Sequence, residues 1–243
     1  MLHWYYLLAL CLVTFIAGLV PFYFKQIQQK HLALFLAFSG SFLLGITSLH
    51  LLPETFAEIG EKAGLFILIG FFLQLFLQRI SHGVEHGHIH EHSSPGHIWP
   101  IFIGLLIHAF LEGIPLGFNY QQSTTMPSIS LGVAVHKIPE ALTLSTLLIM
   151  ASQVRRMQWF LLILFSIMSP LAGLLASFYG TQFHAIASIL KYLIPLVIGS
   201  FMHISTTILY ESGTTHHQLT WKKLLSVFLG LGAALASLLL HEH

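Results

Sequence analysis

Charge is what this chain has least of. Lys, Arg, Asp and Glu together make up 8% of its 243 residues, against about 25% in an ordinary soluble domain. A water-facing globular surface cannot be built from so few charges. Net charge is +1, so nothing electrostatic favours nucleic acid. There is one cysteine, Cys11, inside an apolar run, which excludes an internal disulfide and a thiolate cluster. No H-E-x-x-H metalloprotease signature occurs. The first apolar run is not preceded by a basic segment or followed by a small-residue cleavage site, so it reads as a retained span rather than a signal peptide. The ten-residue alternation of a transmembrane barrel is missing as well.

Hydrophobic residues are plentiful, at 55%, and they fall into long runs. A bilayer core needs about 20 apolar residues per helix. Eight runs meet that length, near Trp4–Phe24, Leu32–Leu52, Gly64–Ile80, Trp99–Phe118, Ser128–Met150, Trp159–Tyr179, Ala185–Tyr210 and Trp221–Leu240. Trp4, Trp99, Trp159 and Trp221 stand at predicted span starts, where an aromatic belt places them. The expectation is an all-α polytopic membrane protein in the lipid bilayer, one transmembrane domain over 1–243. Lys25, Lys30, Arg79, Arg155, Arg156, Lys222 and Lys223 share one side, and Lys62 and Lys191 lie on the other. The positive-inside rule then places both termini outside the cytoplasm. The short chain points to a bacterial inner membrane.

Two consecutive spans carry ionisable residues near their centres: HAFLEG, with His108 and Glu112, and HKIPE, with His136 and Glu140. A charged side chain at mid-bilayer costs roughly 3 kcal/mol on the insertion scale, so two such pairs mark a functional site. Residues four apart share one helix face. If the two faces meet, two imidazoles and two carboxylates converge, a donor set suited to a first-row dication, with zinc first. Pro115 and Pro139 lack an N–H and free the carbonyls of Leu111 and Val135. The small residues Gly104, Ala109, Gly113 and Gly117 invite close helix approach. Other functional readings are an intramembrane zinc-dependent hydrolase, with Glu112 or Glu140 as base, and haem ligation by His108 and His136. Haem does not need a glutamate one turn from each histidine.

These residues resemble the ZIP (Zrt-, Irt-like protein) family of divalent-metal transporters. The fourth span's His108-Ala-Phe-Leu-Glu112-Gly113 and the fifth's His136-Lys-Ile-Pro139-Glu140 match its motifs. The second span, SFLLGITSLHLLPE, and the sixth span's Ser169-Pro170-Leu171-Ala172-Gly173 are also similar. The resemblance implies eight spans in a 3+2+3 bundle, with spans one to three and six to eight forming an inverted repeat. It implies a metal path between helices with net movement into the cytoplasm; a transporter working by alternating access, and not an enzyme, is the expectation. The metal is then the transported substrate rather than a cofactor: Zn2+ first, with Fe2+, Mn2+, Co2+ and Cd2+ open. Homodimers are common in the family. Many relatives hold a second metal on the residues following the first ligands, and here those are Ala109 and Lys137. Alanine cannot ligate and an ammonium repels a cation. The resemblance therefore implies a single-metal centre in which Lys137 replaces the second ion.

His50 and Glu54, at the end of span two, are expected at a metal entrance. His203, near Ser205, Thr206 and Thr207, is expected with Glu211 along the exit. The segment SHGVEHGHIHEHSSPGH carries His82, His86, His88, His90, His92 and His97. It reads as a flexible cytoplasmic metal-binding loop at about 81–98.

Overall fold

In the computed structural model, residues 4–24, 29–81, 98–117, 126–151, 153–211 and 220–239 are described. Among them there are helices and no strand. In order these are α1 (Trp4–Tyr23), α2 (Gln29–Ile46), a π-helical turn (Thr47–Leu51), α3 (Leu52–Ile59), α4 (Lys62–Ser81), α5 (Ile98–Gly117), α6 (Met126–Met150), α7 (Arg155–Gln182), α8 (His184–Glu211) and α9 (Trp221–Leu239). Eight helical stretches are long and apolar enough to cross a membrane, so the all-α polytopic expectation holds.

The second span runs further than its hydropathy suggests. It continues from His31 to Ile59, past the expected end at Leu52. The π turn explains how. Pro53 has no N–H to offer the ladder, and the Leu52 N–H reaches back five residues to the Thr47 carbonyl. The wider turn lets the helix pass its proline and continue as α3. Gly60 then ends it, with φ 63°, a conformation that disfavours any residue with a Cβ.

The helix pairing has an internal symmetry. The principal partners are α1 with α6, α5 with α7, α4 with α8, and α2 with α9. Exchanging α1 with α7, α2 with α8, α4 with α9 and α5 with α6 turns the first pair into the second and the third into the fourth. The pairs α1–α7, α2–α8 and α5–α6, which also touch, map onto themselves. This is the pattern of two three-span units flanking a two-span centre. α5 and α6 are accordingly the most enclosed. α4 and α9 turn Leu65, Leu68, Phe72 and Phe76, and Leu225, Phe228, Leu229 and Leu235, outward, as lipid-facing helices do.

Small residues set the close approaches. A Cβ on Gly113 would collide with the Ser169 carbonyl of α7, and one on Gly117 with that of Gly173. Gly70 of α4 and Gly199 of α8 meet the partner backbone in the same way, at Leu196 and Ile67. Without a water-driven hydrophobic effect between helices, such contact is what holds spans together. Gly117→Ala therefore destabilises the bundle by about 1–3 kcal/mol, the usual range for overpacking. Gly232→Ala, whose Cβ would meet nothing within 4 Å, leaves the unfolding temperature unchanged or slightly higher. Thermal unfolding in detergent compares the two, and equal melting temperatures would contradict this packing account.

Candidate metal centre

Helical spacing delivers the central residues in pairs. His108 and Glu112 point from one face of α5, and His136 and Glu140 from one face of α6. All four side chains are buried. His108 Nε2 lies 3.0 Å from Glu112 Oε1 and 2.8 Å from Glu140 Oε1. His136 Nε2 lies 3.0 Å from Glu140 Oε1 and 3.7 Å from Glu112 Oε1. One ligand atom from each residue falls within 4.8 Å of all the others, so the group could hold a metal ion. Tetrahedral zinc with ligands about 2.0–2.2 Å away separates those ligands by roughly 3.3–3.6 Å. The observed contacts bracket that spacing.

The hydrogen-bond pattern fits a cation better than a closed network. Neither Nε2 nor either Oε1 makes a hydrogen bond of good geometry among the described residues. The four atoms crowd around one point without satisfying one another. Buried polar atoms ordinarily find partners, and a shared dication would satisfy all four.

Lys137 closes the other side. It follows His136 on α6, so it points about 100° away round the helix, while its three-residue spacing to Glu140 returns its ammonium to the carboxylates. Nζ forms ion pairs with Oε2 of both Glu112 and Glu140. It also sits 4.8 Å from the centre of the Phe165 ring, presented by α7, in a cation–π arrangement. Lys137 is fully buried and does not snorkel to an interface. Each carboxylate is thus divided, Oε1 toward the imidazoles and Oε2 toward the ammonium.

Helix α7 backs the centre. Ser169 Oγ donates a hydrogen bond to the Ala109 carbonyl at 2.7 Å, beside the glycine contacts at Gly113 and Gly117. Ala109 is buried and offers no side-chain donor, as its sequence implies.

Of the remaining predicted residues, those the structure describes, His50, Glu54 and His203, are not part of this group. His50 is buried in the π turn, its Nε2 3.2 Å from Ser237 Oγ of α9, and Glu54 follows on α3. His203 Nε2 is 2.7 Å from Gln78 Oε1 of α4. Glu211 ends α8, and its side chain is outside the described residues. So are His82, His86, His88, His90, His92 and His97. Sequence reading missed Phe165, Gln74 and Gln78. Ser200 donates to Gln74 Oε1 at 2.7 Å, so two glutamines one turn apart join α4 to α8. Their four-residue spacing within an apolar run was the available signal.

A polytopic helical protein that encloses two imidazoles and two carboxylates at the heart of its bundle has the build of a membrane carrier for metal cations. The model of the ZIP zinc transporter family matches residues 1–100 and 85–240, and the chain belongs to that family. It is therefore an integral membrane protein and a divalent-metal transporter, and the hydrolase and haem readings fall away, since family members are transporters and not enzymes. No curated protein matches the chain.

A site of this kind couples metal to stability. A dication that binds only the folded state at about 100 times its Kd adds about 2.7 kcal/mol. With the loop histidines replaced by alanine, zinc raises the melting temperature in detergent. In the same background, His136→Ala and Glu140→Ala abolish the rise. A zinc-induced shift that survives both substitutions would place the binding elsewhere.

Proposed function

We propose that this chain carries zinc into the cytoplasm one ion at a time, by alternating access, with His108, Glu112, His136 and Glu140 as the ligands of the transported ion. The observation that carries this reading is the convergence of those four residues' ligand atoms within 4.8 Å, from two adjacent helices, at full burial. Imidazole with carboxylate suits zinc, and the division of the bundle into flanking three-span units supports rocking of one unit against the other.

Lys137 occupies the position where a two-metal centre would keep its second ion. Its ammonium balances one of the two carboxylate charges, and Ala109 contributes no ligand. Metal leaves such a centre more readily than a fully anionic one, which suits a carrier that must release its cargo. Both termini face outside the cytoplasm. His50 and Glu54 then stand on the outer side, His203 and Glu211 on the cytoplasmic side, and the histidine-rich loop at about 81–98 collects released metal. The chain is a single transport domain.

Uptake of radioactive zinc into proteoliposomes tests the ligand set. The wild type takes up zinc saturably, and His108→Ala and Glu140→Ala each lower uptake at least about tenfold, since even the outer-shell partners of a metal site are worth that much. Unchanged saturable uptake in both variants would remove the assignment. Uptake also falls as the pH of the donor side is lowered, because protons compete for the imidazoles and carboxylates that must bind metal unprotonated. In protein whose loop histidines are replaced by alanine, elemental analysis returns one tightly held metal per chain, and two would refute the single-metal centre.

A further inference from the structure

We propose that Lys137 sets the metal preference of the central site by limiting each carboxylate to a single donor oxygen. The inference rests on the reading that the cluster binds the transported ion. Glu112 and Glu140 each have two oxygens. Oε1 of both faces the imidazoles, and Oε2 of both is paired with the Lys137 ammonium. A cation at the centre therefore meets four protein donors: two Nε2 and two Oε1.

Reaching a fifth or sixth donor by bidentate carboxylate binding would mean displacing the ammonium from Oε2. The ammonium has nowhere better to go. It is fully buried, with the Phe165 ring 4.8 Å away. Helix α7 holds that ring, and Phe165 is itself buried. An ammonium released from both carboxylates inside this apolar packing would be an unpaired buried charge, costing several kcal/mol.

Cations differ in what they lose by this limit. Zinc is content with four nitrogen and oxygen ligands, and cobalt(II) also takes four-coordinate sites. Manganese and the larger hard cations favour six or more oxygen ligands and readily use bidentate carboxylates. A pair of carboxylates held monodentate therefore selects small dications that accept tetrahedral coordination. The selecting element is a residue that never touches the ion. Lys137 acts here as a positioning residue.

Two measurements test this, both on full-length protein with the loop histidines replaced by alanine. Wild-type protein loaded with Co2+ alone gives the intense visible absorption of four-coordinate cobalt; the weak spectrum of six-coordinate cobalt would overturn the proposal. In proteoliposomes, the ratio of zinc to manganese uptake is compared between wild type and Lys137→Met, which keeps the side-chain length and removes the charge. The ratio falls at least about tenfold, equivalent to about 1.4 kcal/mol of lost discrimination. The extra negative charge in the variant favours both dications equally and cancels in the ratio, so a purely electrostatic role leaves it unmoved. An unchanged ratio with zinc uptake intact overturns the proposal while leaving the ligand assignment standing. If the variant fails to fold, the cobalt spectrum decides alone. Wild-type protein that neither binds cobalt nor carries zinc removes the underlying reading and this inference with it.

Discussion

Charge cannot be left alone inside hydrocarbon, and the centre of this bundle is arranged around that constraint. An isolated carboxylate at mid-membrane would be neutralised or expelled. Glu112 and Glu140 instead share one ammonium from Lys137 on one side and two imidazoles on the other. The ammonium lies against Oε2 of both carboxylates, while the Nε2 and Oε1 atoms on the histidine side make no proper hydrogen bonds among the described residues. The four residues so gathered form a group that could hold a metal ion.

The surrounding helices exist to hold it. Gly113 and Gly117 allow α7 to lie directly on α5, which brings Ser169 to the Ala109 carbonyl and Phe165 to the Lys137 ammonium. A larger side chain at either glycine would push α7 away and loosen the wall behind the lysine. On the periphery, α4 and α8 are joined by glycine contacts and by hydrogen bonds from Ser200 and His203 to the Oε1 atoms of Gln74 and Gln78. α2 and α9 are joined through Gly230 packed on Ser41 and Phe38 and through His50 and Ser237. These two outer pairs are related by the same exchange that relates α5 to α6. The histidines at 50 and 203 thus sit in comparable positions, each tied to its peripheral helix.

Much of this was readable from the residues. Long apolar runs and their tryptophans gave the spans because hydrocarbon thickness leaves a helix little choice of length. The convergence of His108, Glu112, His136 and Glu140 was legible because a four-residue spacing on a helix is also a geometric statement. What escaped depended on which helices meet. Phe165 is one phenylalanine among 20, and no local pattern distinguishes the one beneath a buried ammonium. The inward turn of Lys137 to the carboxylates was expected from its place after His136, but its seat against the Phe165 ring was a matter of tertiary packing. The extension through Pro53 was missed because hydropathy does not register a π turn. Gln74 and Gln78 were visible as a pair but passed over, because single polar residues in an apolar span carry little weight until their partners on α8 are known.

On the proposed reading, a centre that holds an ammonium where a second ion would sit differs in charge and donor count from one that holds two metals. Its carboxylates are half committed before any cargo arrives. Anomalous X-ray diffraction from crystals of zinc-loaded protein, recorded at the zinc absorption edge, tests this account most directly. It predicts one peak between α5 and α6, within bonding distance of His108 Nε2, His136 Nε2, Glu112 Oε1 and Glu140 Oε1, and no peak at the Lys137 ammonium. Two peaks in the centre, or none between these helices, would contradict it.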